Sequence, residues 1–533
     1  MSRVRIHTLI ALALVFALAG CGGGDGGPGS NLPGNAQRGA AVLGIPFLPQ
    51  VIGESMTVGI KNLARQPAKV FVTAYQPDGT PYGAGTTTVF LDASGEDRYP
   101  LSTFTGGDVM GGWLKIDSRN LDNVDPGTGL PAVANWTGWI AATMFRSTGP
   151  IETDGAGALA PRDAFATVTL TERTTGVQLI NWSDDTTGGG GAADVDFNIL
   201  VFDAYGELLE TTTETVAGNG SLRVDTSYVQ DGLVIASPAG LLGGADVKFG
   251  MAAIENDVRV LIEARYLEVR DPVPQQYNVA FDVEFGEDED FNIHDFGVHL
   301  SNPTSNGAVV LLNGIYDQAG KSYLPLPRPI NLSAFSTKLE ATTTFDSRGL
   351  DFDAGEVSVF DDIFGNVDFA SGFGQYTLLF SVPRAVNISA RDFDSRFLSY
   401  HRILPGYRQT TDVLVPSFDI ETSALGGTRN WIVIMNPYPT AQTVNVRGYT
   451  PGGTEYIDID PLVLPAYSRV WWSADGLRFT EDPSSTTEPP VPYMSFLFSA
   501  TGGVFFDARR WRVDNLGQIR FQVPFYVRNL RTD

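Results

Sequence analysis

Short runs in which apolar and polar residues alternate follow one another along most of the chain. The run Ala68–Tyr75, AKVFVTAY, places Val70 and Val72 on one face, which is the period-two pattern of a half-buried β-strand. The next four residues, Gln76–Gly79, form a turn sequence in which Pro presets φ and Gly supplies a positive φ. Similar runs recur to the end of the chain, separated by Gly- and Pro-rich turns. The pattern predicts an all-β protein of antiparallel strands.

One set of four positions recurs four times. Each copy has an Asn near the end of one apolar run and an aromatic residue at the end of the next. A Gly follows four positions later, and an Ala comes after a polar, extended run. The copies are Asn62, Tyr75, Gly79 and Ala93; Asn181, Phe202, Gly206 and Ala217; Asn302, Tyr316, Gly320 and Ala334; and Asn436, Tyr449, Gly453 and Ala466.

The repeat predicts four modules, over residues 41–161, 162–272, 273–405 and 406–533. Each module has about 120 residues, which is enough to bury a hydrophobic core of its own. The modules resemble the immunoglobulin-like β-sandwiches strung together in bacterial surface proteins, in strand spacing and in the turn Gly that follows the aromatic residue. This resemblance implies a tandem array of antiparallel two-sheet sandwiches, although the Cys…Trp…Cys core of antibody domains is absent. Prolines in connections such as Arg270–Pro274 stiffen the joints, so we expect an elongated rod.

The N-terminal segment has the features of an export signal. Arg3 and Arg5 precede an apolar stretch that is too short to span a bilayer as a helix. It ends Leu18-Ala19-Gly20-Cys21, which resembles the lipobox of bacterial lipoproteins. That resemblance implies a signal peptide over residues 1–20, diacylglycerol on the sulfur of Cys21 and a fatty acyl chain such as palmitate on its amine. Gly22 in the next position favours the outer membrane, by resemblance to enteric lipoproteins.

Residues 21–40 contain the lipidated Cys21 and a glycine-rich stretch without an apolar anchor. Such a composition predicts a flexible tether, with a mean reach of ~25 Å for about 20 residues. The folded body would then stand off the membrane surface.

The chain is strongly acidic, with 36 Lys and Arg against 61 Asp and Glu. Removal of residues 1–20 takes away two basic residues, so the mature charge is 34 − 61 = −27. A basic patch of the kind that binds nucleic acid or anionic lipid is therefore not expected. We predict no nucleic-acid partner.

Residues that could carry catalysis or hold a metal are few. Three histidines follow residue 20, namely His294, His299 and His401, and neither a G-x-S-x-G nor an H-E-x-x-H motif is present. His294 and His299 are five apart, so on a strand they would point to opposite faces. The acidic segments 287–290 and 351–356 lack the spacing of a calcium loop; they allow weak Ca²⁺ binding, but we interpret them as solvated loops. We predict no catalytic residues, no metal site and no cofactor.

Tryptophans provide the one candidate for ligand contact. Trp113, Trp136 and Trp139 cluster late in the first module, where packing between sheets is the preferred interpretation and a sugar-binding platform the alternative. Trp471 and Trp472 are adjacent, so on a strand one faces inward and the other outward. The outward one is the candidate ligand-binding residue.

These observations predict a non-catalytic, membrane-anchored surface lipoprotein that serves as a binding, adhesion or structural array, with a surface protein or glycan as its partner. The alternative is a carbohydrate-binding lipoprotein of a polysaccharide-uptake system that uses Trp471 or Trp472. A glycan hydrolase with acidic catalysts is the third interpretation, because spacing in sequence does not reveal spacing between carboxylates.

Overall fold

The computed structural model describes most of the chain after residue 41. The described residues are 42–63, 67–107, 109–118, 140–148, 151–157, 166–171, 174–182, 193–229, 231–239, 249–255, 261–263, 265–266, 276–287, 293–341, 360, 374–383, 385–394, 399–403, 410–420, 427–474, 477–484, 487–513, 519–525 and 528–529. The predicted signal peptide and tether, including Cys21, lie outside them.

Within these residues the fold is almost entirely β, in several antiparallel sheets that pack as sandwiches, as predicted. The first module has two four-stranded sheets, ordered β1-β6-β3-β4 and β5-β2-β7-β8, and one short helix, α1. Its elements are β1 Val42–Phe47, β2 Glu54–Asn62, β3 Ala68–Tyr75, β4 Pro81–Leu91, β5 Glu96–Pro100, α1 Ser102–Thr105, β6 Gly112–Asp117, β7 Ile140–Thr148 and β8 Ile151–Gly157.

The second module repeats the two-sheet arrangement, with orders β13-β10-β15-β16 and β12-β11-β14-β9-β17. Its strands are β9 Ala166–Leu170, β10 Thr174–Asn181, β11 Val195–Asp203, β12 Leu208–Val216, β13 Ser221–Asp225, β14 Gly232–Pro238, β15 Phe249–Glu255, β16 Leu261–Glu263 and β17 Arg265–Tyr266.

In the third module the two sheets are joined, because the end of β18 also pairs with β19. The order is β21-β20-β23-β18-β19-β24-β25, and β22 pairs with β19. The strands are β18 Gln276–Glu287, β19 Ile293–Ser301, β20 Ala308–Asp317, β21 Arg328–Leu332, β22 Thr337–Ala341, β23 Gly374–Pro383, β24 Asn387–Asp394 and β25 Ser399–Ile403.

In the fourth module one long strand, β31, belongs to both sheets. Its first part lies in the order β29-β28-β31-β26-β33, and its second part pairs with β27 and β32, while β30 pairs with β27. The strands are β26 Thr410–Asp419, β27 Gly427–Met435, β28 Gln442–Tyr449, β29 Glu455–Leu464, β30 Arg469–Trp472, β31 Tyr493–Val513, β32 Ile519–Phe525 and β33 Arg528–Asn529.

Apolar side chains on the facing sides of paired sheets form the cores. In β3, Val70 and Val72 are fully buried while Lys69 and Phe71 are partly exposed, so the predicted alternation is confirmed there. The four largest clusters of buried apolar residues fall one to each predicted module, with a few residues contributed by a neighbour. In the described part of the chain, every strand pairing stays within the predicted module bounds. The bounds themselves stay a prediction.

The strand order differs from that of immunoglobulin domains. In those domains the first strand lies beside the second in one sheet. Here β1 pairs with β6 in one sheet, while β2 pairs with β5 and β7 in the other. The later modules follow the same scheme, since β9 pairs with β14, β18 with β23 and β26 with β31. The likeness to immunoglobulin modules therefore lies in the sandwich architecture and not in the connectivity.

The expected rod is wrong, because the first and last modules touch. Aromatic rings join the first module to the second (Trp113 and Trp182, centroids 5.1 Å apart), the second to the third (Phe202 and Phe335, 4.7 Å) and the third to the fourth (Tyr316 and Tyr467, 4.9 Å). An ion pair of 2.8 Å between Arg98 and Asp419 joins the first to the fourth. The modules thus close into a ring. Sequence spacing could not distinguish a ring from a rod, because both use the same neighbouring contacts except at the closure.

Candidate functional site: the interfaces between modules

The repeated Asn holds a loop of its own module in place. Each Asn is buried, and its side-chain amide donates to the carbonyl of the residue just before the repeated Ala. These bonds join Asn62 to Asp92 (2.8 Å), Asn181 to Val216 (3.0 Å), Asn302 to Ser333 (2.7 Å) and Asn436 to Pro465 (2.7 Å). An amide can donate two hydrogen bonds, so it satisfies backbone carbonyls at the start of this loop. The Asn is therefore structural.

We call the loop that begins at the repeated Ala the docking loop: residues 93–96, 217–221, 334–337 and 466–469. Each docking loop contains one non-glycine residue with a positive φ, namely Ser94, Asn219, Phe335 and Tyr467, with φ between 52° and 57°. Non-glycine residues seldom adopt this left-handed conformation. Its occurrence at one place in every module indicates that the loop shape is required, and the neighbouring module supplies the reason.

The repeated turn of each module, here called the docking turn (residues 76–80, 203–207, 317–321 and 450–454), sits on the docking loop of the next. A side chain at the turn glycine would meet a backbone oxygen of that loop at less than the 3.0 Å that real Cβ atoms keep. The pairs are Gly79 with Gly218, Gly206 with Ala334, Gly320 with Ala466 and Gly453 with Ala93. Each glycine also has a φ of 84° to 86°. Glycine is thus needed for both the turn and the close approach.

Backbone hydrogen bonds cross three of these contacts at equivalent positions. A docking-loop N–H donates to a docking-turn carbonyl: Ser221 to Pro77, Thr337 to Ala204 and Glu96 to Pro451, each at 2.9 Å. The last of these is the ring closure. The closure therefore repeats the geometry of contacts between consecutive modules, which is expected of a ring built from one repeated unit.

At two interfaces the repeated aromatic residue stacks on the left-handed residue of the next module. Phe202 stacks on Phe335, and Tyr316 stacks on Tyr467, with interplanar angles of 6° and 3°. At the first interface Tyr75 instead stacks on Trp113, whose indole N–H donates to the carbonyl of Asn219 at 2.8 Å. The stacked pairs were not predicted. A signal existed, since aromatic residues follow the repeated Ala in two of the four copies.

At the ring closure the contact is charged. The ammonium of Lys61 lies 5.1 Å from the ring centroid of Tyr449 and donates to the carbonyl of Ser94. Lys61 and Glu96 are both buried, and Ser495 Oγ of the fourth module donates to Glu96 Oε2 at 2.5 Å. Burial lowers the pKa of Lys61 to about 8, and the nearby charge of Glu96 opposes part of that shift.

A second charged contact extends this closure. Arg98 pairs with Asp419 at 2.8 Å, and its guanidinium lies over the rings of Phe145 (5.1 Å) and Tyr493 (4.0 Å). Burial, together with the charge of Glu96, raises the pKa of Tyr493 to about 12. We call Lys61, Glu96, Arg98, Asp419, Tyr493 and Ser495 the closing cluster. Their sequence context had no recognisable motif, because the three residues of the first module lie more than 300 positions before the three of the fourth and meet them only in the ring.

The interface between the third and fourth modules contains a buried ion pair, Arg469 with Asp282. Arg469 also donates to the side chain of Gln375 at 2.9 Å. A small apolar cluster formed by Ala280, Val433, Met435 and Phe505 surrounds this region. A buried pair of this kind fixes the relative placement of two surfaces more than it stabilises them. It was not predicted from the sequence.

The predicted alternation of Trp471 and Trp472 is found, but neither indole forms an exposed platform. Trp472 is buried in the core of the fourth module against Phe418 and Phe496. Trp471 faces the other way, where it is partly buried, contacts Trp431 and borders the apolar cluster of the third interface. The outward face of β30 is covered because a neighbouring module lies there, which the sequence of one strand cannot reveal. Ligand binding by either residue stays a prediction.

Packing between the sheets of one module was the preferred interpretation of Trp113. Trp113 is fully buried, but it lies between two modules: it stacks on Tyr75 of its own sheet and contacts Trp182 of the second module. Trp136 and Trp139 lie outside the described residues.

Two histidines lie on β19, where both are buried. His294 Nδ1 is 3.2 Å from Glu284 Oε2, whereas His299 lies between Leu339 and Ser389 in the strand register. His401 belongs to β25. Among the described residues no group of three or more His, Cys, Asp or Glu side chains is arranged to hold a metal. Residues 288–290 and the acidic segment 351–356 lie outside the described part.

In the residues that the structure describes, no helix is long and apolar enough to cross a membrane. Comparison with protein-family models found no match to this chain. No curated protein sequence matches it significantly.

Proposed function

We propose that the chain is a non-catalytic lipoprotein, anchored through Cys21 in the outer membrane, whose modules form a binding, adhesion or structural scaffold at the cell surface. The resemblance of Leu18–Cys21 to a lipobox supports the anchor. Several acyl chains at ~0.8 kcal/mol for each buried CH₂ make such an attachment durable. A surface protein or a glycan is the external partner.

One observation carries the scaffold assignment. The four positions that the sequence repeats are used to build modules and join them. Asn shapes the docking loop, and Gly, three of the four Ala and three of the four aromatic residues contact the neighbouring module. The charged residues buried near these positions, such as Lys61, Glu96 and Arg469, also contact neighbouring modules. Repeated residues in a ligand-binding array would instead be expected at accessible positions. The repeat thus favours a rigid platform.

The anchor is tested by Triton X-114 partitioning of the full-length protein expressed in a bacterium with lipoprotein processing. We expect the wild-type protein in the detergent phase and the Cys21→Ala variant in the aqueous phase, since Cys21 is the sole cysteine. Circular dichroism of the soluble variant serves as the control for folding. Detergent-phase recovery of a folded Cys21→Ala variant would refute the lipid anchor.

A further inference from the structure

The first module has an exposed apolar tip, formed by Val51, Ile52 and Met110. Ile52 is fully exposed, Met110 is 73% exposed and Val51 is 48% exposed. Ile52 is the second residue of a turn closed by the bond from Glu54 N–H to the Val51 carbonyl (3.1 Å), with Gly53 at φ 86° in third position. Turn tips in contact with water usually have polar residues or Pro at such positions.

Two loops hold this apolar tip together. The N–H of Gln50 donates to the carbonyl of Val109 at 3.1 Å, which places Met110 beside the turn. Gly111 packs against Pro49, and Tyr82 receives the N–H of Met110 at 3.0 Å. The tip is therefore a preformed surface, and its apolar residues are not scattered singly.

The acidic residue of the turn is neutralised. Glu54 accepts the N–H of Val51 with one carboxylate oxygen at 2.9 Å and pairs with Arg146 through the other. Both side chains of this ion pair are almost fully buried. The turn consequently presents apolar side chains without an unpaired carboxylate, although the protein as a whole has a net charge of −25.

We propose that the apolar tip contacts the lipid bilayer to which Cys21 is attached, so that the ring has a fixed orientation on the membrane. This inference rests on the proposed lipid anchor, and it replaces the expectation that the folded body stands off the membrane surface. The apolar tip would insert into the zone of the bilayer between the headgroups and the acyl chains. Exposed apolar side chains can enter this zone without basic residues beside them.

The position of the tip relative to the anchor supports lipid as its occupant. β1 starts at Val42, where the tether ends, and leads directly to the loop that contains Ile52. Ten residues at ~3.3 Å each separate Val42 from Ile52 by at most about 33 Å, and the turn shortens that span. The tether predicted from the glycine-rich composition of residues 21–40 would have a mean reach of ~25 Å. The local concentration of a tethered group is highest when the tether length matches the span. Weak insertion of the tip is then sufficient to keep it in contact with the bilayer.

The experiment uses the lipidated protein in phosphatidylcholine vesicles. Because the sulfur of Cys21 is consumed by lipid, an Ile52→Cys substitution creates the one free thiol, to which an NBD fluorophore is attached. We expect a blue-shifted emission, and loss of about half of its intensity when nitroxide-labelled lipid is included, as for a group in the interfacial zone. A second probe at Met110→Cys should respond in the same way.

Phe90→Cys is the matched control, because Phe90 is also apolar, belongs to the same module and is 71% exposed, on the edge strand β4. An NBD fluorophore at this position should show the emission of a probe in water. Water-like emission from the Ile52 and Met110 probes in a vesicle-bound, folded protein would overturn the membrane contact while leaving the anchor intact. Labelling at Cys21 together with release from vesicles would instead show that the anchor is absent.

Discussion

Single residues at the ring closure make the stability of this protein depend on pH. The pKa of Lys61 falls from 10.5 to about 8 because the ammonium is buried. Glu96, Tyr449 and the carbonyl of Ser94 face it, and these groups only partly compensate for the lost water. The folded protein is therefore more stable with Lys61 neutral than with Lys61 charged.

The sign of the effect follows from linkage. Between pH 8 and 10.5 the unfolded chain binds more protons at Lys61 than the folded protein does, so this residue's contribution to stability rises with pH across that window. The full shift corresponds to about 3 kcal/mol. We expect the difference in unfolding free energy between the wild-type protein and a Lys61→Met variant to change in favour of the wild type over this range.

Urea unfolding of the soluble form from pH 7 to 10.5 measures this difference. A Lys69→Met variant is the control, since Lys69 is a partly exposed lysine on β3 of the same module. Parallel pH profiles for the wild-type protein and Lys61→Met would contradict the assignment. Comparison of variants at one pH removes the common contribution of tyrosine ionisation.

At the scale of elements, one glycine in each docking turn meets two requirements: a positive φ, and the absence of a side chain where the next module comes close. Gly453 has a φ of 86°, and a Cβ there would collide with the carbonyl of Ala93 in the first module. Gly85, in β4, has the same φ but open space around it. A Gly85→Ala substitution thus introduces conformational strain alone, about 1–2 kcal/mol. Gly453→Ala introduces the same strain and also separates two modules.

We expect Gly453→Ala to lower the melting temperature more than Gly85→Ala does. Differential scanning calorimetry of both variants and the wild-type protein measures the effect. An equal decrease would show that the docking turn needs glycine for its own conformation and not for contact with the neighbouring module.

Elements were the part of the fold that sequence predicted best. The alternation in β3 and the turn at Gly79 are local properties, fixed by the pleat and by φ, so they could be read from a few residues. The pairing of β1 with β6 joins residues about 70 apart, and nothing local encodes that choice. Trp471 illustrates the same limit, because its burial depends on a module that precedes it in sequence.

At the scale of the whole molecule, one interface differs from the others in kind. The first three interfaces join consecutive modules, which the chain itself keeps close together. The fourth joins the first and last modules, and its closing cluster is mainly polar and charged. Loss of contact there is opposed by no covalent connection, so the ring should open at this interface first.

Two further strands meet at this closure, since β8 of the first module lies against β32 of the fourth. The repeated turn glycines could predict that each module has a similar surface. They could not predict closure, since that depends on the summed angle between modules, which no single residue determines.

Reversal of one charge tests ring opening directly. In Asp419→Arg, two guanidinium groups would face each other across the closure where Arg98 now pairs at 2.8 Å. We expect small-angle scattering of the soluble form, from Gly39 onward, to give a radius of gyration near the compact value of about 24 Å for the wild-type protein and a larger one for the variant.

The reciprocal double variant, Arg98→Asp with Asp419→Arg, should shift the radius of gyration back toward the wild-type value, because an attractive pair is restored. Glu455→Arg is the control, since Glu455 forms an exposed pair with Arg447 inside the fourth module. An unchanged radius for a folded Asp419→Arg variant would show that the backbone contact of Glu96 with Pro451 and the buried Ser495–Glu96 bond keep the ring closed without the ion pair.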